Sequence, residues 1–174
     1  SKGMAEVEYS FNKKEYLPRE FPKHSVSGTF MYDVMAPTDK FLKTDKDNVF
    51  TSFKTTTVDQ MMYVRNVALK YERETEIGFK TTLELKNTND EPTGKLVYMK
   101  NDASRTIVPD ITTSEASLTL RYAPGETFIN TKQRRIPVSF DAPVFTLSHT
   151  AGFKGVLGGD YNYNLTELGI YKRF

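Results

Sequence analysis

The stretches MMYVRNVALKY (Met61–Tyr71) and IGFKTTLELK (Ile77–Lys86) decide the fold of this chain. In the first, Met61, Tyr63, Arg65, Val67, Leu69 and Tyr71 fall on one side of an extended backbone, and Met62, Val64, Asn66, Ala68 and Lys70 on the other. In the second, Ile77, Phe79, Leu83 and Leu85 are apolar, whereas Lys80, Thr82, Glu84 and Lys86 face the opposite way. A period of two is incompatible with a helix, and the polar half of the pattern is incompatible with a strand buried on both faces. The pair predicts an antiparallel hairpin, 61–72 with 76–87, joined by the polar turn Arg73-Glu74-Thr75. One face of the resulting sheet is dry and the other wet.

Working outward, alternation of the same kind predicts strands at Val26–Val34, Glu115–Tyr122, Val144–Thr150 and Tyr163–Phe174, with a short one at Leu96–Lys100. Turn chemistry separates them. Asn87–Gly94 is rich in Asn, Asp, Pro and Gly and reads as a loop, and Pro124-Gly125 breaks the strand before it. Pro137 and Pro143 bracket a short extended segment. Met4–Pro37 reads as a polar, aromatic-dotted lead holding the Val26–Val34 strand, and Thr38–Asn48, rich in lysine and aspartate with little apolar content, as a solvated loop. The aspartates Asp45 and Asp47 lack the glycine and terminal glutamate of a calcium loop. Ser1-Lys2-Gly3 ahead of Met4 reads as a cloning remnant, and the chain as a piece of a longer protein.

Composition sets the class. Of 174 residues, 38% are apolar, enough for a modest core, and the abundance of Thr, Tyr, Phe and Val favours strands. With 24 basic and 22 acidic residues the net charge is +2, too balanced to point to nucleic acid as a partner. There is no cysteine, hence no disulfide, thiolate nucleophile or cysteine metal site. No apolar run approaches the roughly 18 residues of a membrane-crossing helix, but a membrane-crossing strand needs only about 9–11 of alternating character.

Chemistry-bearing patterns are sparse. The glycines of Ala151–Asp160 lack the Gly-Lys-Ser/Thr ending of a phosphate loop, and they lie between two predicted strands rather than ahead of a helix. They read as a turn needing positive φ, not a nucleotide site. The only histidines, His24 and His149, sit far apart, the first in a polar, exposed context and the second at a strand end. Ser148 and His149, as strand neighbours, point to opposite faces and cannot form a nucleophile–base pair. Glu72, Glu74 and Glu76 beside Lys70 and Arg73 read as a solvated hairpin end. Lys132, Arg134 and Arg135 near Phe128 read as a wet basic loop, and Asn164-Leu165-Thr166 matches a glycosylation acceptor only in a secretory setting. The sequence therefore predicts no catalytic, cofactor-binding or metal-ligating residue, no cofactor, and no nucleic acid or nucleotide partner.

Three segments carry a family resemblance: Ala116-Ser-Leu-Thr-Leu-Arg-Tyr-Ala-Pro-Gly-Glu126, Pro143-Val-Phe-Thr-Leu-Ser-His-Thr-Ala-Gly-Phe-Lys-Gly155 and Gly159-Asp-Tyr-Asn-Tyr163. Together they resemble a Bacteroidota outer-membrane family of unknown function, numbered 5686, in which a carboxypeptidase-regulatory-like β-sandwich precedes a membrane β-barrel. The resemblance covers Val49–Phe174, leaving 1–48 as a polar lead with one strand. It implies an all-β antiparallel meander forming part of an outer-membrane barrel, with a scaffold or transport-related role, no enzymatic activity, and outer-membrane lipid or an envelope protein as partner. For Arg121, Tyr122, Pro124, Gly125, Gly152, Gly155, Asp160 and Tyr163 it implies roles at strand ends and turns. The competing class is a soluble β-sandwich used for binding. A sandwich buries Phe79, Leu83, Leu118 and Leu120 beneath a second sheet, whereas a barrel wall turns them to lipid. In a wall Arg65 belongs near an interface, because at the bilayer midplane it costs about 2–4 kcal/mol.

Overall fold

The computed structural model describes residues 3–12, 22–37, 60–101, 103–126, 128–130, 135–137 and 143–172. Its strands are β1 (Gly3–Ser10), β2 (His24–Met35), β3 (Gln60–Glu74), β4 (Phe79–Gly94), β5 (Tyr98–Met99), β6 (Ile107–Val108), β7 (Ile111–Tyr122), β8 (Phe128–Asn130), β9 (Arg135–Pro137), β10 (Val144–Gly152) and β11 (Tyr163–Tyr171). Seven of them form one antiparallel sheet in the order β1-β2-β3-β4-β7-β10-β11. The pairs β5–β6 and β8–β9 are small hairpins outside it. The chain is therefore all-β, an antiparallel meander, and the sheet is not closed into a barrel. No second sheet lies over it among the described residues.

The decisive hairpin is present, with Leu69 opposite Leu85 and Lys70 opposite Glu84. Its turn lies further along than the sequence predicts, at Thr75–Gly78. Thr75 binds Phe79 three times: its backbone N–H and its hydroxyl donate to the Phe79 carbonyl at 2.9 and 3.0 Å, and the Phe79 N–H donates to its Oγ1 at 3.2 Å. Gly78 adopts φ +80°, and a Cβ there would overlap the Ala123 carbonyl, so the turn is seated against the end of β7. Ile77, assigned by its pattern to the strand, lies in this turn and is exposed.

Three further readings are corrected. Asn87–Gly94 is not a loop but the second half of β4, because its Asn side chains find cross-strand partners. Asn87 Nδ2 donates to Ser114 Oγ at 2.8 Å and Asn89 Nδ2 to Thr112 Oγ1 at 2.9 Å. Pro92 is tolerated there because β7 leaves the ladder at Asp90, so one side of the β4 backbone is open. Leu96–Lys100 shrinks to Tyr98–Met99, paired only with Ile107–Val108. The lead contains β1, whose Ala5, Val7 and Tyr9 alternate with Glu6 and Glu8 as it pairs with β2. Thr38–Asn48, Lys132, Arg134 and the segment between Pro137 and Pro143 lie outside the described residues.

Register lines up each face. One row crosses the sheet through Val7, Gly28, Leu69, Leu85, Ala116 and Ala151. On the opposite face a row runs through Ser10, Ser25, Glu72, Thr82, Thr119 and Ser148. Burial is inverted relative to an ordinary soluble sheet. Ser25, Ser27 and Glu72 of the polar face are buried, whereas Val7, Leu69, Leu85, Leu118 and Leu147 of the apolar face are exposed. The buried apolar residues among those described are Ala36, Met62, Val64 and Ala123. Met62 and Val64 form a small cluster at one end of the polar face, where the Tyr98 hydroxyl donates to Met62 Sδ at 3.3 Å.

Candidate functional site

The enclosed face carries a charged ladder. At its centre Glu72 accepts from Lys23 Nζ at 2.6 Å and Lys80 Nζ at 2.8 Å, with Lys70 Nζ at 3.4 Å. Lys23 also reaches Glu8 at 3.0 Å, and Lys80 reaches Glu74 at 3.7 Å. The β-period puts these side chains on one face, and the register brings Glu72 between Ser25 and Thr82, with Lys80 on the diagonal. Lys23 arrives from the segment before β2, fixed by its N–H donating to Glu74 Oε2 at 3.2 Å. Of the predicted solvated hairpin end, Arg73 and Glu76 are exposed, whereas Glu72 is buried in an ion cluster, and the signal missed was Lys23, remote in sequence.

Electrostatics favour the charged forms of Glu72 and Lys23. Burial alone would raise the Glu72 carboxyl, but the hydrogen bonds from Lys23 and Lys80 outweigh it and bring it down to about 2. Burial pulls Lys23 downward, yet Glu72 and Glu8 raise it above its ordinary value. A carboxylate so committed is a poor proton donor or acceptor near neutral pH. Its chemistry is structural.

Two further ion pairs border the ladder. Lys86 Nζ lies 2.6 Å from Glu115, which also accepts from the Tyr163 hydroxyl. Burial and the Glu115 contact push that phenol well above its usual range. Arg121 forms a bidentate pair with Glu126 at 2.6 and 2.7 Å. Between them Ser117 meets Thr150 at 2.8 Å and Thr119 meets Ser148 at 3.1 Å. These pairs satisfy one another, whereas Asn66 Oδ1 on the same face is buried with no hydrogen-bond partner among the described residues.

The histidines do not meet. His24 Nε2 lies 3.1 Å from the Tyr71 hydroxyl and its ring packs on Phe11 with centroids 4.7 Å apart, so it is half-buried rather than exposed as its context suggests. His149 Nδ1 lies 2.8 Å from Thr166 Oγ1 on the apolar face, and Ser148 points to the other. Among the described residues no group of His, Cys, Asp or Glu is placed to hold a metal ion.

The residues singled out by resemblance sit at strand ends and turns. Arg121 and Tyr122 end β7, and Gly125 (φ +71°) and Gly155 (φ +83°) occupy turns. Asp160 accepts the Thr112 N–H at 2.7 Å. Gly152 ends β10 with its Cα facing the Tyr163 ring, which a Cβ would overlap.

Comparison with known proteins adds one finding to this geometry. The model of the C-terminal domain of a family of unknown function, DUF5686, matches residues 37–174, beginning upstream of the Val49 limit read from the sequence. No curated protein and no solved structure matches the chain. With most of its length matched, including every strand from β3 to β11, the chain belongs to the DUF5686 family and carries its C-terminal domain.

Proposed function

We propose that this domain is a wall section of an outer-membrane β-barrel, serving as an envelope scaffold or conduit rather than performing chemistry. The observation that carries the reading is the inversion of the sheet, ion clusters enclosed on one face and large aliphatic side chains exposed on the other. Leaving a Leu or Val in water forgoes about 1.5–3 kcal/mol relative to burial, and this face repeats that loss strand after strand. Such an expanse marks a surface meant for a non-aqueous neighbour. Bilayer hydrocarbon on one side and a wet lumen on the other would satisfy both faces.

On β4 the apolar side chains run from Phe79 to Leu85, about 20 Å at about 3.3 Å per residue. A strand tilt near 40° reduces this to about 15 Å of height, which fits inside the roughly 25 Å band of membrane barrels. At the Asn87 end the face turns polar through Asn89 and Thr112, with Tyr32 and Tyr63 stacked at 5.9 Å. Arg65 lies in that border, opposite Tyr32 and Asn89. His149 and Thr166 interrupt the band but satisfy each other.

Fractionating cells that express the parent protein tests the reading. Heat-modifiable migration in the outer-membrane fraction is the expected result. A freely soluble, monomeric parent whose apolar face is closed by a second sheet would refute it and leave a binding module in its place.

A further inference from the structure

The outward face is not flat. Past Gly152 the loop from Phe153 to Asp160 turns back beside β7 and overhangs the sheet, shaping a groove of about 670 Å³. Val7, Gly28, Leu69 and Leu85 lie along its floor, and Val156 and Leu157 overhang it. The overhang is built rather than draped. The Ser114 hydroxyl donates to the Val156 carbonyl at 2.6 Å, Asn87 Nδ2 donates to the Leu157 carbonyl at 3.1 Å, and the Phe153 N–H donates to the Ser114 carbonyl at 2.9 Å. Leu157 is held at φ +46°, a region bulky residues seldom adopt. Strain of that kind is retained where the surroundings fix it, commonly at a site that clamps a ligand.

We infer that this groove seats one acyl chain of an anionic glycerophospholipid, with the lipid phosphate at Arg65. The inference rests on the wall reading above. Its volume lies within the roughly 300–1,000 Å³ of ligand pockets, and its lining is apolar. Asn87 and Ser114, the polar side chains at its edge, are engaged by the overhang. A peptide would bring backbone polar groups into a trough with little to pair them, whereas hydrocarbon brings none. Charge selects the headgroup. Arg65, two residues beyond Val67 on the same face of β3, is exposed and forms no ion pair among the described residues. Lys154, in the overhanging loop, is likewise exposed and unpaired among them. A phosphate at this border would supply the missing negative charge.

The test uses the full-length parent in lipid nanodiscs with phosphatidylglycerol or phosphatidylcholine bearing a photoreactive diazirine in one acyl chain. Labelling should concentrate on peptides containing Gly28, Leu69 and Leu157, with phosphatidylglycerol favoured about fivefold, the effect of one cation at a membrane surface. R65Q should abolish that preference, and R73Q, an exposed arginine on the same face at the opposite end of β3, should retain it. G28L should displace the label, since no atom lies within 4 Å of a Cβ at Gly28 and the longer side chain would project into the floor. Labelling spread evenly over Leu118 and Leu147, or a preference that survives R65Q, overturns the inference and leaves the wall reading intact. A soluble parent with no labelled apolar face overturns both.

Discussion

Replacing Glu72 with glutamine tests whether the ion cluster stabilises the sheet, and its size follows from the geometry. Glu72 titrates at about 2 in the fold against an ordinary 4.5, a difference equivalent to about 3 kcal/mol. The folded value is the lower one. That stability is therefore complete above about pH 4.5 and is lost as pH falls towards 2. Lys23, raised above its ordinary 10.5, has the opposite sign: its contribution is complete below that pH and declines only above it. The acid window thus separates the carboxylates Glu72 and Glu8, both lowered, from Lys23. At neutral pH E72Q leaves Lys23 and Lys80 short of a partner, a loss of about 3–5 kcal/mol for an isolated buried pair. Here Lys23 retains Glu8 and Lys80 retains Glu74, which lowers the expected cost to about 2–3 kcal/mol. Urea unfolding of the parent protein in micelles, followed by gel mobility at a series of pH values, reads both quantities. E72Q should be destabilised at pH 7 and should show a flatter decline between pH 5 and 2 than the unsubstituted protein. Equal stability at pH 7 and an unchanged acid limb would refute the reasoning.

Two other substitutions probe the sheet. G152A should cost about 1–3 kcal/mol in the same assay, because its Cβ meets the Tyr163 ring, whereas G28A, with open space around it, should stay within about 0.5 kcal/mol. L118R, on the exposed apolar face, should cost about 2–4 kcal/mol in a bilayer, while T119R on the polar face should cost only about 1 kcal/mol for the lost Ser148 hydrogen bond; equal penalties would contradict the assignment of faces.

How much was legible depended on how local each signal was. Met61–Tyr71 and Ile77–Lys86 disclose their faces residue by residue, so the hairpin follows from period alone, while its register, set by a turn at Thr75–Gly78 rather than Arg73–Thr75, does not. The second half of β4 was hidden because Asn87 and Asn89 carry loop propensity until Ser114 and Thr112 are placed beside them. β1 alternates clearly, yet Glu6 and Glu8 gave it the look of a polar lead. The Glu72 cluster was misread because its key partner, Lys23, lies 49 residues away. The groove was invisible for the same reason: its floor is drawn from β1 to β4, and only the register brings those residues together.

Strand direction in the meander has an arithmetic consequence. Every neighbour in the sheet is antiparallel, so β1 and β11, six steps apart in the order, run the same way. If the two open edges met directly, the seam would be a parallel ladder in an otherwise antiparallel wall. Any cylinder completed by antiparallel pairing must instead insert an odd number of additional strands between β11 and β1, bringing the circumference to an even count. The parity of whatever completes this sheet is already fixed by the seven strands in it.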